Sequence, residues 1–202
     1  MSLFSKFFKS KPQKAGNNPK SNDRGKYMPE IKLPIDEKFT INFKENGGKF
    51  LYCETTNEVN NYLNSIVKEN KWFNKKAFVI DKALVEKLKK TNIKTSRKIS
   101  ESSYFVTTCE NLIANDGSIL ISSNQIAEKK LTELPDNFIV YATTSQITDN
   151  IGEGLRGIKN KNKSKIPTNI TTIKNFKMVD EKDFLNYGSS SKNLYLLLLE
   201  DL

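Results

Sequence analysis

Chemistry in this chain would have to come from five short clusters of hydroxyl, amide and charged side chains. In Val106-Thr107-Thr108-Cys109-Glu110, a short apolar entry delivers two hydroxyls and a carboxylate close to an expected helix start. Glu110 is the candidate catalytic group, as base, nucleophile or hydrogen-bond anchor; the plainer alternative is that it favours a helix N-terminus electrostatically. Asn115-Asp116-Gly117-Ser118 is a turn signature in which glycine supplies the positive φ. Its amides could form a small anion nest with the Ser118 hydroxyl, or it is only a turn before a strand. Thr143-Thr144-Ser145 ends one strand and leads into an expected helix, a place competent to bind phosphate or carboxylate and one that ordinary capping explains equally well. Thr171 and Thr172 with Lys174, a well-placed cation, make the fourth cluster, and Gly188-Ser189-Ser190-Ser191 the fifth. Both also read as plain surface loops.

The residues that are missing narrow the chemistry further. There is no histidine, so a Ser-His-Asp triad, a Cys-His pair and a His-ligated metal all lack their imidazole unless a partner supplies it. Cys53 and Cys109 stand far apart without CxxC spacing, which indicates neither a disulfide framework nor a zinc or iron-sulfur motif. No metal site is expected on this chain, and both cysteines read as small apolar core residues.

The formal net charge is +10, yet it rests on 30 lysines and only Arg24, Arg97 and Arg156. Base-edge and phosphate readers favour the bidentate guanidinium fork, so specific nucleic-acid recognition is not expected. More than half of the excess lies in residues 1–26, where seven basic residues face the single acid Asp23 among Pro, Gly, Asn and Ser. That composition reads as a basic, disordered tail over residues 1–27, with the folded domain at 28–202. Within residues 1–11, Leu3, Phe4, Phe7 and Phe8 share one helical face and lysines the other, a pattern that suits peripheral contact with an anionic membrane or docking onto a partner. No apolar run spans a bilayer and no secretory signal is visible, which reads as a soluble, cytoplasmic protein.

Strands alternate with helices along the domain. Phe50 to Cys53 reads as a strand, and Thr55-x-x-Glu58 is a capping box opening a helix with Val59, Leu63, Ile66 and Val67 on one side. Ala77 to Ile80 reads as a strand before a helix over about 82–90, with Trp72 and Phe73 packing between. Ile119 to Ser122 and Phe138 to Ala142 are further strands, then a helix from Gln146 to Ile158, then strands at Asn169 to Ile173 and Leu194 to Leu199. The run Tyr195-Leu196-Leu197-Leu198-Leu199 suits a strand buried on both faces. The order implies an α/β fold with a mostly parallel sheet covered by helices, in which ligands bind at the carboxyl ends of strands.

Val-Thr at Val106-Thr107, the acid Glu110, the pair Ile113-Ala114 and the turn Asp116-Gly117-Ser118 run without gaps into an aliphatic strand, followed by Pro135 to Val140. This pattern resembles the LUD domain of bacterial lactate-utilisation proteins. The resemblance implies a three-layer α/β architecture similar to the sugar-phosphate isomerase and CoA-transferase superfamily. It also implies a place beside iron-sulfur partner subunits in lactate or organic-acid oxidation, with no cofactor on this chain itself. Such proteins usually carry Gly-Pro-Ser-Arg-Thr-Ala-Asp-Ile-Glu late in the domain, where this chain has Pro167-Thr168-Asn169-Ile170-Thr171-Thr172-Ile173-Lys174-Asn175-Phe176. Either Thr171, Thr172 and Lys174 take over from the missing Arg and acids, or the ligand of this branch has changed or vanished.

The leading expectation is a LUD-type subunit or accessory factor that binds a small anionic ligand, carboxylate or phosphate, through Asn115 to Ser118, Thr143, Thr144, Ser145, Thr171, Thr172 and Lys174. The rivals are a non-enzymatic interaction module acting through its basic tail, and an enzyme similar to CoA-transferases with Glu110 as nucleophile.

Overall fold

The structure is a computed structural model that describes residues 33–176 and 192–201. The basic tail, with the segment expected to contact a membrane or partner, and Gly188 to Ser191 lie outside the described residues.

Helix α1 (Ile35–Glu45) follows Pro34 and carries Asp36 and Glu37 in its first turn, where acids suit the helix dipole. Phe39 and Phe43, four apart, are both fully buried and stacked at 5.4 Å. Strand β1 (Lys49–Cys53) leads into α2 (Thr56–Glu69), capped by Thr55, whose hydroxyl accepts the Glu58 amide at 3.2 Å. Then come β2 (Lys76–Phe78), α3 (Lys82–Leu88) capped by Asp81, β3 (Lys94–Ser96) and β4 (Ser102–Thr108). The chain continues through β5 (Asn111–Ile113), β6 (Ser118–Ile121), the short α4 (Ser123–Ile126) and β7 (Asn137–Thr143). It closes with β8 (Ile147–Thr148), α5 (Ile151–Lys161), β9 (Thr171–Ile173) and β10 (Asn193–Leu199).

Six strands form one sheet in the order β1-β10-β7-β4-β2-β3, with every neighbouring pair parallel. Strand β10 lies inside this sheet, and Leu194 to Leu198 are all nearly inaccessible, as the leucine run requires. Side chains of α2 and α3 pack with Tyr104, Val106, Ile139, Tyr195 and Leu197 on one face. The later crossovers, from β4 to β7 and from β7 to β10, run in the opposite direction along the sheet, so right-handed connections put them on the other face. There a second sheet, β8-β5-β6-β9, packs against α5 through Ile113, Leu120 and Ile158. The result is the α/β, three-layer, mostly parallel architecture.

Several local expectations are corrected. Ile119 to Ile121 and Thr171 to Ile173 are strands, but they pair antiparallel with each other in the second sheet, not in the main one. Their places in the main sheet are taken by β3 and β4. The helix expected from Gln146 starts only at Ile151, because Asn150 caps it by accepting the Glu153 amide at 3.0 Å, and Ile147-Thr148 pair with β5 instead. Trp72 is buried and stacks on Tyr104 at 4.3 Å, whereas Phe73 is 59 % exposed. Among the described residues no helix is long and apolar enough to cross a membrane.

A carboxylate cradle at the carboxyl edge of the sheet

All six parallel strands end on one edge, and β7 ends there in Thr143. Beyond it the chain makes one tight turn, Thr144 to Gln146, held because Gln146 Oε1 accepts the Thr143 amide at 2.8 Å. The same Gln146 side chain donates from Nε2 to the carbonyls of Cys109 at 2.7 Å and Glu110 at 3.2 Å. The ends of β4 and β7 are thus stitched together.

This turn holds an anion of the protein's own. Asp201, two residues beyond β10, receives the Thr144 hydroxyl at 2.8 Å and the Ser145 amide at 2.9 Å on Oδ1, and the Ser145 hydroxyl at 2.7 Å on Oδ2. Its own amide donates back to Thr144 Oγ1 at 3.2 Å. Partial burial alone would raise the Asp201 pKa; the bonds from Ser145, Thr144 and Thr143 outweigh it and lower it from 3.8 to about 2. The expected Thr143-Thr144-Ser145 group thus hydrogen-bonds a carboxylate of the chain itself, on a turn and not on a helix N-terminus. Tyr141 is two residues back on β7, so it shares the face of Thr143. Burial raises its pKa, with the charges of Cys53 and Asp201 adding to the effect.

Glu110 sits at the end of β4, partly buried. It does not open a helix: its amide donates to the Leu120 carbonyl at 2.8 Å, and β5 follows. Its Oε1 accepts the Ser122 hydroxyl at 2.7 Å and Asn124 Nδ2 at 2.9 Å, tying the carboxylate to the first turn of α4. Neighbouring Cys109 is buried, and burial followed by the charge of Glu110 pushes its thiol pKa far up. Cys53 is pushed up to about 12 by burial and then by Glu58, so neither thiol is a thiolate near neutral pH.

The remaining predicted residues lie elsewhere. The turn Asn115 to Ser118 packs against α1: Asn42 Nδ2 donates to the Ala114 and Asn115 carbonyls at 2.7 and 3.2 Å, and Asn46 Nδ2 to the Asp116 carbonyl at 2.7 Å. Three amides of the turn are already engaged, Asn115 with the Asp149 carbonyl, Gly117 with the Ile113 carbonyl and Ser118 with Asp116 Oδ1. The Asn115 side chain accepts Lys38 Nζ, which also reaches Asp149 at 3.1 Å. Lys174 joins this group, 3.8 Å from Asp116, while Thr171 and Thr172 lie on β9 beside Ile121 and Leu120. So the structure gathers Asp116, Ser118 and Lys174 in one place and Thr143 to Ser145 around Asp201 in another, while the Glu110 carboxylate turns to Ser122 and Asn124 and meets neither group.

Asp201 and Gln146 were not singled out from the sequence, since an acid after a strand and a glutamine in a loop carry no local signature. Among the described residues no three His, Cys, Asp or Glu side chains converge as a metal ion would need.

The family model described as the LUD domain matches residues 37–199. A solved structure of a DUF162 family protein from Deinococcus radiodurans is similar in fold, with a TM-score of 0.56 and 13 % identity, covering 83 % of this chain and 96 % of that one. Comparison with curated proteins gives no match.

Proposed function

The chain belongs to the LUD domain family, and from that premise we propose that it binds a small organic carboxylate in the Thr143–Ser145 cradle as a subunit or accessory factor of lactate or organic-acid oxidation. The observation that supports this reading most is the Asp201 carboxylate, which receives two hydroxyls and one amide in that turn. A lactate or pyruvate carboxylate offers the same two oxygens, and it binds by replacing the Asp201 side chain. In this reading the chain holds the acid, and the oxidation is assigned to partner subunits, for which iron-sulfur proteins are the class that the family resemblance implies.

The test is a thermal-shift series with lactate, pyruvate and inorganic phosphate on the native protein and on Asp201→Ala, in which the cradle is vacated. Ligand at a hundredfold excess over its dissociation constant stabilises by about 2.7 kcal/mol, and the gain is expected to be larger in Asp201→Ala. Combining Asp201→Ala with Thr144→Val and Ser145→Ala removes both hydroxyls. Each hydrogen bond to a charged group contributes roughly 1.5–3 kcal/mol, so affinity falls at least tenfold. A lack of any carboxylate response in Asp201→Ala overturns the proposal.

A further inference from the structure

Between α2 and α3, on the face of the main sheet away from the second sheet, lies a cavity of about 220 Å³. Its floor is Val106, Ile139 and Leu197, and its walls include Leu63 and Leu84, all at most 6 % exposed. Close-packed interiors hold few gaps larger than a water molecule, and an empty apolar gap lowers stability in proportion to its volume. Enclosed apolar cavities of about 150 Å³ accept apolar guests; this one is larger and opens to solvent at its mouth. Lys87 and Lys90 are the charged residues of its lining, beside Asn60 and Thr56, with the Asp201 carboxylate near enough to act on Tyr141. Lys87 Nζ is held 4.8 Å above the Tyr141 ring, which keeps its charge at the opening.

We propose that this cavity is a binding site for a medium-chain carboxylate, its alkyl tail on Val106, Ile139 and Leu197 and its carboxylate at Lys87 and Lys90. At roughly 30 Å³ per water-sized group, the volume takes about seven groups, which selects a chain of six to eight carbons over lactate or acetate. The site is separate from the cradle of Thr144 and Ser145 and stands on its own observations.

The experiment is titration of the full chain with octanoate, octan-1-ol and butyrate, followed by calorimetry and by nuclear Overhauser contacts to the Ile139 and Leu197 methyls. Octanoate is expected to bind with contacts to both methyls, and at least tenfold more tightly than either octan-1-ol or butyrate. Lys87→Ala with Lys90→Ala should weaken octanoate at least fivefold while leaving octan-1-ol unchanged. Leu84→Phe, which takes up part of the gap, should weaken octanoate; if that variant does not fold, the methyl contacts in the native chain decide. Equal binding of octanoate and octan-1-ol, or octanoate binding without those contacts, overturns the proposal, as does no binding.

Discussion

Asp201 and Lys192 are two charged residues with opposite surroundings. Asp201 is exposed but over-supplied with donors, and its pKa is lowered to about 2. A carboxylate whose folded pKa is depressed contributes stability that is full above its unfolded value and is lost as pH falls through the folded one. Unfolding followed between pH 5 and pH 2 should show a decline in stability between about 4 and 2 that is reduced in Asp201→Asn. An identical slope in both proteins would show that the cradle bonds contribute nothing. Lys192 is 2 % exposed, with Nζ donating to the Leu134 carbonyl at 3.0 Å and to Asp136 at 3.2 Å, above the Phe138 ring at 5.5 Å. Its partner Asp136 is 77 % exposed, so the two halves of the pair are unequal. Lys192→Ala removes a buried stem and leaves a carbonyl unmet, a loss of roughly 2–4 kcal/mol. Asp136→Ala leaves the buried Lys192 ammonium with the Leu134 carbonyl but without its counter-ion, and should cost about 1–3 kcal/mol. Chemical denaturation of the two variants measures the contrast.

At the scale of elements, the contact of α1 with the β5–β6 turn depends on Gly117. Its φ is +67°, and a Cβ there would lie 2.4 Å from the Asn42 and Phe43 backbone. Gly117→Ala should lose about 1–3 kcal/mol from the left-handed backbone alone, with the overlap on α1 adding to it, and hydrogen exchange of α1 amides should accelerate. Unchanged α1 protection would contradict this packing. The sequence made parts of this architecture readable and hid others for identifiable reasons. Thr55-x-x-Glu58 announced α2, and the tyrosine-leucine run announced a strand buried on both faces, because those signals are local. Ile119-Leu120-Ile121 announced a strand but not its sheet, since a short apolar run buried in either sheet looks the same. Gln146 looked like a helix start because Ile147, Ile151, Leu155 and Ile158 keep helical spacing; the stronger cap at Asn150 moved the start by a turn. Helix α1 went unread although Phe39 and Phe43 recur at four. For the site, the hydroxyls of Thr143 to Ser145 were visible as residue types, whereas Asp201 meets them only through the parallel pairing of β10 with β7.

Across the whole molecule, the main sheet brings Tyr141, Thr143 and Asp201 together at its carboxyl edge. Thr143 and Tyr141 belong to β7, next to β10, whose continuation carries Asp201 across to them. The turn against α1, with Lys38, Asp116 and Lys174, is held by its own hydrogen bonds and ion pairs and works as a structural clasp between α1 and the second sheet. The proposed role of the Thr144–Ser145 turn is that of a carboxylate receptor in which Asp201 stands where a small organic acid binds. It is tested by the amide resonance of Ser145 during titration of Asp201→Ala with lactate. A saturable shift of that resonance is expected, smaller in the native chain where Asp201 competes. A Ser145 amide that does not move at any lactate concentration in Asp201→Ala would contradict it.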